Sequence, residues 1–225
     1  LVRAPPVLFG NAISQEIFAM AETVDPNRRF QVALERSRAA WAAADSARAA
    51  GLAGCETDGQ SVIVPFFGGR HRVTFPDGDV AFEPTGRAAH ASIAITLLHY
   101  LLTADGTSPA GRWVAFRDLP DGLFYAPAFA AKAETPLAAR FGSGLAAYRT
   151  AAARLGGTPL DMADAAHTFQ ALPRLALAVL VWEGDDEFPG RARVLFDETA
   201  GHYLPAEDLS GLAAWLANRL VRQAG

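Results

Sequence analysis

The sequence has one cysteine, one lysine and no apolar run longer than Leu175–Trp182, and each scarcity excludes a class of function. With Cys55 alone, the chain can build neither a disulfide framework, nor a thiolate zinc site, nor an iron–sulfur cluster, because each needs at least two thiols. A cytoplasmic setting is the expectation. A bilayer-spanning helix takes roughly 18 or more apolar residues, so no membrane partner is expected. The net charge is −4 and the basic residues are arginines except for Lys132. Phosphate-tracking proteins carry a basic excess, so no nucleic-acid partner is expected either. What is present is a chain of 225 residues, 51% hydrophobic and 20% charged, long enough to bury a core and too apolar to be disordered. One domain over residues 1–225 is the simplest organisation, with a helical N-terminal segment over 1–50.

Asp25 and Pro26 supply an N-cap and a first-turn proline, and Phe30, Leu34, Trp41 and Ala44 then fill one face of a helix ended by Gly51 and Gly54. Arg28, Arg36, Arg38 and Arg48 lie mostly off that stripe, as a solvated face does. Ser61–Phe67 and His71–Phe75 read as strands joined by a Gly68-Gly69 hairpin turn, followed by Pro76-Asp77-Gly78-Asp79 and a third strand at Val80–Phe82. Pro65 cannot donate to a ladder and marks an edge or a bulge. Arg87–Thr103 reads as a buried helix, and Arg112–Pro120 as a short strand or extended loop. Helices return between Leu123 and Leu155, with breaks at Thr135-Pro136 and at Phe141-Gly142-Ser143-Gly144. Leu175–Trp182 reads as a strand buried on both faces, Ala192–Phe196 as its return, and Pro205 opens a closing helix with Leu209, Leu212, Leu216 and Leu220 on one face. Hairpin-linked strands and helices in blocks make the class α+β, a meander plus a C-terminal hairpin packed with helices.

Chemistry is sparse. His71, His90, His99, His167 and His202 include no metal-binding helical pair, and His99 is expected buried on its helix and hydrogen-bonded to another segment. Gly142-Ser143-Gly144 falls short of a nucleophile elbow. Cys55 is flanked by Glu56 and Asp58, which disfavour a thiolate. The one dense cluster is Glu183, Asp185, Asp186 and Glu187, where a buried strand ends. Such like charges need water, a hard cation or arginine. Arg191 and Arg193, with Arg117 and Arg174 as further candidates, are expected to hold this acidic turn in place of a tightly bound metal, with Glu183 its least solvated member.

Taken with Leu97-Leu98-His99-Tyr100-Leu101-Leu102, Trp113, Phe116-Arg117-Asp118-Leu119-Pro120, Ala171-Leu172-Pro173-Arg174, Leu195-Phe196-Asp197 and Tyr203-Leu204, the acidic turn makes residues 51–222 resemble the bacterial and archaeal family catalogued as domain of unknown function 3786. Asp118 stands where that pattern has Glu. The resemblance implies an architecture and assigns no reaction, no cofactor and no catalytic residue. Some longer relatives carry a cysteine-rich iron–sulfur module ahead of this domain, for which Cys55 alone supplies no ligand set.

Two functional expectations follow. The first is a non-catalytic accessory module holding a small polar ligand or a partner protein near His99, Arg117 and Glu183, Asp185, Asp186 and Glu187. The alternative is a metal-dependent hydrolase or transferase that uses those carboxylates with a histidine brought in by folding.

Overall fold

The computed structural model describes residues 26–224. Asp25, expected to cap the first helix, and the side chain of Arg28 lie outside the described residues. The described part of the N-terminal helical segment forms two helices, α1 (Pro26–Ala42) and α2 (Ser46–Ala53), and Gly51 lies inside the second. The break falls at Asp45, whose carboxylate accepts the Arg48 N–H and caps α2, and Gly54 ends α2 with φ of 70°. Trp41 is fully buried and its indole N–H donates to the Thr74 carbonyl at 2.9 Å, which fastens α1 to the meander.

The meander is larger than its three central strands. β1 (Glu56–Thr57), β2 (Ser61–Phe66), β3 (Gly69–Thr74), β4 (Val80–Phe82) and β5 (Arg87–Ala88) pair antiparallel in that order. Its first turn is displaced by one residue from the expected Gly68-Gly69. Phe66 pairs with Gly69, so the two loop residues are Phe67 and Gly68, with φ of 46° and 78°. A two-residue hairpin of this kind needs positive φ at both central positions, and here a phenylalanine takes one of them. β1 pairs only with Val62 and Ile63, so the exposed Pro65 stands where β2 has no neighbour on that side. Helix α3 spans Ala91–Thr103 and not Arg87–Thr103, because Arg87 and Ala88 are taken up by pairing with β4 and the His90 imidazole caps the helix by accepting the Ser92 N–H.

The second sheet contains β6 (Trp113–Ala115), β7 (Thr158–Pro159), β8 (Ala165–Leu172), β9 (Leu175–Trp182) and β10 (Arg191–Asp197), ordered β6-β10-β9-β8-β7 and antiparallel throughout. The alternation of β9 shows why the strand is continuously apolar. Leu177, Val179 and Val181 enter the main core, while Ala178 and Leu180 join Ala166 on the opposite face under Trp113, Leu160, Trp182 and Leu195. Strand β8 has no counterpart in the sequence reading, because Ala165, Ala166 and Ala171 dilute the β-branched signal.

Helices α4 (Gly122–Phe129), α5 (Thr135–Phe141), α6 (Leu145–Arg154) and α7 (Ala206–Gln223) complete the fold. Thr135-Pro136 does not break the chain. Pro136 occupies the first turn of α5, and a π turn over Ala130–Glu134 carries α4 into it. The break at Gly142–Gly144 is present. On α7, Leu209, Leu212, Leu216 and Leu220 are buried, in one contiguous core with residues of both sheets. Burial of each leucine contributes about 1.5–3 kcal/mol. The fold class is α+β, and no helix among the described residues is long and apolar enough to cross a membrane.

Candidate functional site

Helices α1, α3 and α7 meet at His99. The imidazole Nδ1 lies 2.6 Å from the Asp208 carboxylate and Nε2 lies 2.9 Å from the Ser37 hydroxyl. Ser37 itself donates to the Ala33 carbonyl at 2.9 Å, one helical turn back. With that proton on the Ala33 carbonyl, the Ser37 oxygen accepts from Nε2–H while Asp208 accepts from Nδ1–H. Both nitrogens donate when the ring is an imidazolium. The basicity of His99 is raised accordingly, chiefly by the hydrogen bond to Asp208, against the opposing effect of burial and with help from the charges of Asp208 and Glu207. Asp208 stands in the first turn of α7, where the helix dipole favours a carboxylate.

Carboxylate, imidazole and hydroxyl in this order resemble an acyl-transfer relay, but the chemistry differs. Ser37 is 3% exposed, sits inside a helix and is absent from the wall of the adjoining cleft. A nucleophile must reach its substrate and give its proton to the imidazole, and Ser37 does neither. His99 itself is half-buried, less than the burial expected of it, and faces a cleft of about 730 Å³. Phe30, Ile95 and Tyr125 form apolar parts of its wall; Lys132, Glu207 and Ser210 supply polar groups.

The other residues expected at this site are elsewhere. Arg117 is exposed on the 3-10 turn Phe116–Asp118, with Asp118 3.7 Å away, and does not line the cleft. Glu183, Asp185, Asp186 and Glu187 occupy the β9–β10 loop and all four are exposed, Glu183 included. Their loop is ordered by backbone groups. Asp185 Oδ1 accepts the N–H groups of Glu187 and Phe188 at 2.9 and 2.7 Å, which holds its carboxyl below the usual range. The N–H of Glu183 donates to Asp164 at 2.9 Å and that of Gly184 to the Gly142 carbonyl at 2.8 Å.

Among the described residues, no arginine pairs with the acidic turn. In the β9–β10 register Arg191 opposes Trp182 and Arg193 opposes Leu180, so neither stands across from a loop carboxylate. Arg191 lies over the Trp182 ring, 4.5 Å from its centroid. Arg193 donates to Glu134 at 2.9 Å, and the second oxygen of Glu134 accepts the Val194 N–H at 3.2 Å. Arg174 lies at the other end of β9, where its N–H donates to the Tyr100 hydroxyl. Among the described residues, no three His, Cys, Asp or Glu side chains are grouped so as to hold a metal ion. Burial and Glu56 push the Cys55 thiol up to about 12, so it is not a thiolate at neutral pH.

The sequence reading missed Ser37, Glu134 and the role of Asp208. One signal for Ser37 was available: it continues the stripe of Phe30, Leu34 and Trp41 at helical spacing, and a polar residue on an apolar face needs a buried partner. Nothing local announces Glu134 or pairs Asp208 with His99. The profile of the family described as domain of unknown function (DUF3786) matches residues 45–219. No curated protein and no solved structure matches the chain.

Proposed function

The chain belongs to the DUF3786 family, whose description assigns no activity, and from the geometry alone we propose that it is a non-catalytic module holding a small polar ligand in the His99 cleft. The observation that carries this reading is an imidazole ring tied at both nitrogens, to Asp208 and Ser37, on the wall of a cleft of about 730 Å³. A ring committed at both nitrogens offers a flat face to a ligand, and it has no free lone pair with which to act as a general base. Beside the His99–Asp208 pair, Lys132 and Glu207 add one charge of each sign to the same wall, and Phe30, Ile95 and Tyr125 cover an apolar portion. A molecule carrying both an ammonium and a carboxylate on a short apolar frame complements that set, as pockets of this size combine apolar walls with a few placed polar groups.

The test is a thermal-shift series with free amino acids as probes, each compared with its N-acetyl and its decarboxylated form. Saturable stabilisation by the mixed-charge compounds, lost in Lys132→Met and Glu207→Gln, is the expected result. Equal shifts from the singly charged analogues, or shifts that survive in both variants, would remove the reading.

A further inference from the structure

A second cleft, of about 650 Å³, lies between the Phe67-Gly68 turn and the C-terminal half of α7. Its wall is aromatic. Phe67 stacks on Trp215 with centroids 4.5 Å apart and planes 22° from parallel, and Phe66 approaches the same indole at 5.1 Å. Arg219 lies over the Trp215 ring at 4.9 Å, and Arg87 joins the lining from β5. Both guanidinium groups belong to exposed residues, and neither is in an ion pair among the described residues. The lining contains no Asp or Glu, which sets it apart from the His99 cleft.

Two further features accompany this composition. Phe67 takes φ of 46°, a left-handed conformation that costs a non-glycine residue free energy, and so holds its ring against Trp215. His71, 8% exposed, lines the cleft between Phe66 and Phe82, and its Nδ1 is buried with no hydrogen-bond partner among the described residues. Burial pushes its basicity down, so the ring is neutral near pH 7. Gly69, whose φ is not positive and which the turn does not require to be glycine, leaves space here. A Cβ at that position would meet Phe82 at 3.2 Å and the His71 ring at 3.6 Å.

We propose that this cleft binds a planar aromatic ring carrying an anionic group, with the ring against the Phe66, Phe67 and Trp215 wall and the anion between Arg87 and Arg219. Aromatic walls select a flat π system by offset or edge contact. Unpaired guanidinium groups select a carboxylate or similar oxyanion, through charge-assisted hydrogen bonds. A polar ring substituent reaching His71 would give the imidazole the partner it lacks.

The experiment is isothermal titration of the full chain with 2-naphthoate, 2-naphthamide and cyclohexanecarboxylate. The expected result is one saturable site for 2-naphthoate, with about tenfold weaker binding of the other two, since one lacks the charge and the other the aromatic ring. Arg87→Gln/Arg219→Gln, at two exposed positions that leave the core intact, should weaken 2-naphthoate about tenfold and leave 2-naphthamide unchanged. Trp215→Leu should weaken both aromatic probes, while His99→Gln should change neither, which separates this site from the other cleft. Absence of saturable 2-naphthoate binding, equal affinity for acid and amide, or an undiminished affinity in the double arginine variant would overturn the proposal.

Discussion

The β9–β10 loop and the His99 cleft are opposites in how they gather charge. Glu183, Asp185, Asp186 and Glu187 are neighbours in sequence, yet each is exposed and none pairs with a cation among the described residues. Ser37, His99 and Asp208 lie 62 and 109 positions apart in their two hydrogen bonds, yet they converge on one ring. Like charges placed close together by the chain separate into water, where each keeps its hydration. Unlike groups brought together by packing lose solvent and must satisfy one another. Density of charge along a sequence therefore marks a solvated loop more readily than a site.

The sharpest way to break this comparison is to attack what holds the loop. Gly190 and Gly142 face each other so closely that a Cβ on Gly190 would strike the backbone of Gly142, and a Cβ on Gly142 would fall 2.8 Å from Gly190 Cα. The Gly184 N–H reaches the Gly142 carbonyl through the same contact. Backbone cannot rotate away as a side chain can, so Gly190→Val should cost about 3 kcal/mol or more in urea denaturation, at the upper end of overpacking effects. An unchanged midpoint would mean that the glycine contact does not anchor the loop.

Glu134 tests the same point from the arginine side. It is 9% exposed and accepts from both Arg193 and the Val194 N–H. Glu134→Ala leaves the buried Val194 N–H without this acceptor and should cost about 1–3 kcal/mol. Arg193→Ala should cost less, because the guanidinium is 60% exposed and the Val194 bond survives its loss. If Arg193→Ala proves the more damaging, the backbone bond is not the main role of Glu134.

These residues also show where the sequence was readable. The meander, the apolar β9 strand and the α7 stripe follow from periodicity and turn chemistry, which are local, and the α+β class follows from their arrangement. The Phe67-Gly68 turn was displaced because a glycine pair is a strong local signal, whereas a phenylalanine at positive φ is held there by tertiary contacts such as its stack on Trp215. Helix α3 started late because pairing with β4 captured Arg87 and Ala88. Candidate sites were harder still. His99 was legible as a polar residue on an apolar helix, but its partners come from α1 and α7, and no spacing rule links them.

The His99 cluster predicts a smaller effect, with a definite sign in pH. Asp208 raises the folded-state basicity of the imidazole above its ordinary value of about 6.5. A group whose folded pKa is raised contributes stability that is fully present below the unfolded value and is lost as pH rises through the folded one. The melting-temperature gap between wild type and His99→Gln should therefore be widest below about pH 6.5 and narrow towards alkaline pH. A gap that is constant with pH, or that widens on the alkaline side, would contradict the raised basicity of His99.

The smallest effects belong to the loop carboxylates, and they decide between the two pictures of the acidic turn. If Glu183 were tied to an arginine at the end of a buried strand, Glu183→Ala would destabilise the fold far more than Asp186→Ala. In the structure both are exposed and neither pairs with a cation among the described residues, so the two substitutions should behave alike and shift the melting temperature by roughly 1–2 °C or less. The sign should be stabilising at low ionic strength, because removing one carboxylate relieves repulsion on its neighbours, and the gain should fade near 1 M salt, where the Debye length is only about 3 Å. Asp185→Ala should differ from both. It removes the oxygen that accepts the Glu187 and Phe188 N–H groups, so amide exchange at those two positions should accelerate even where the melting temperature barely moves. A large loss in Glu183→Ala alone, insensitive to salt, would instead restore a buried ionic anchor at the end of β9.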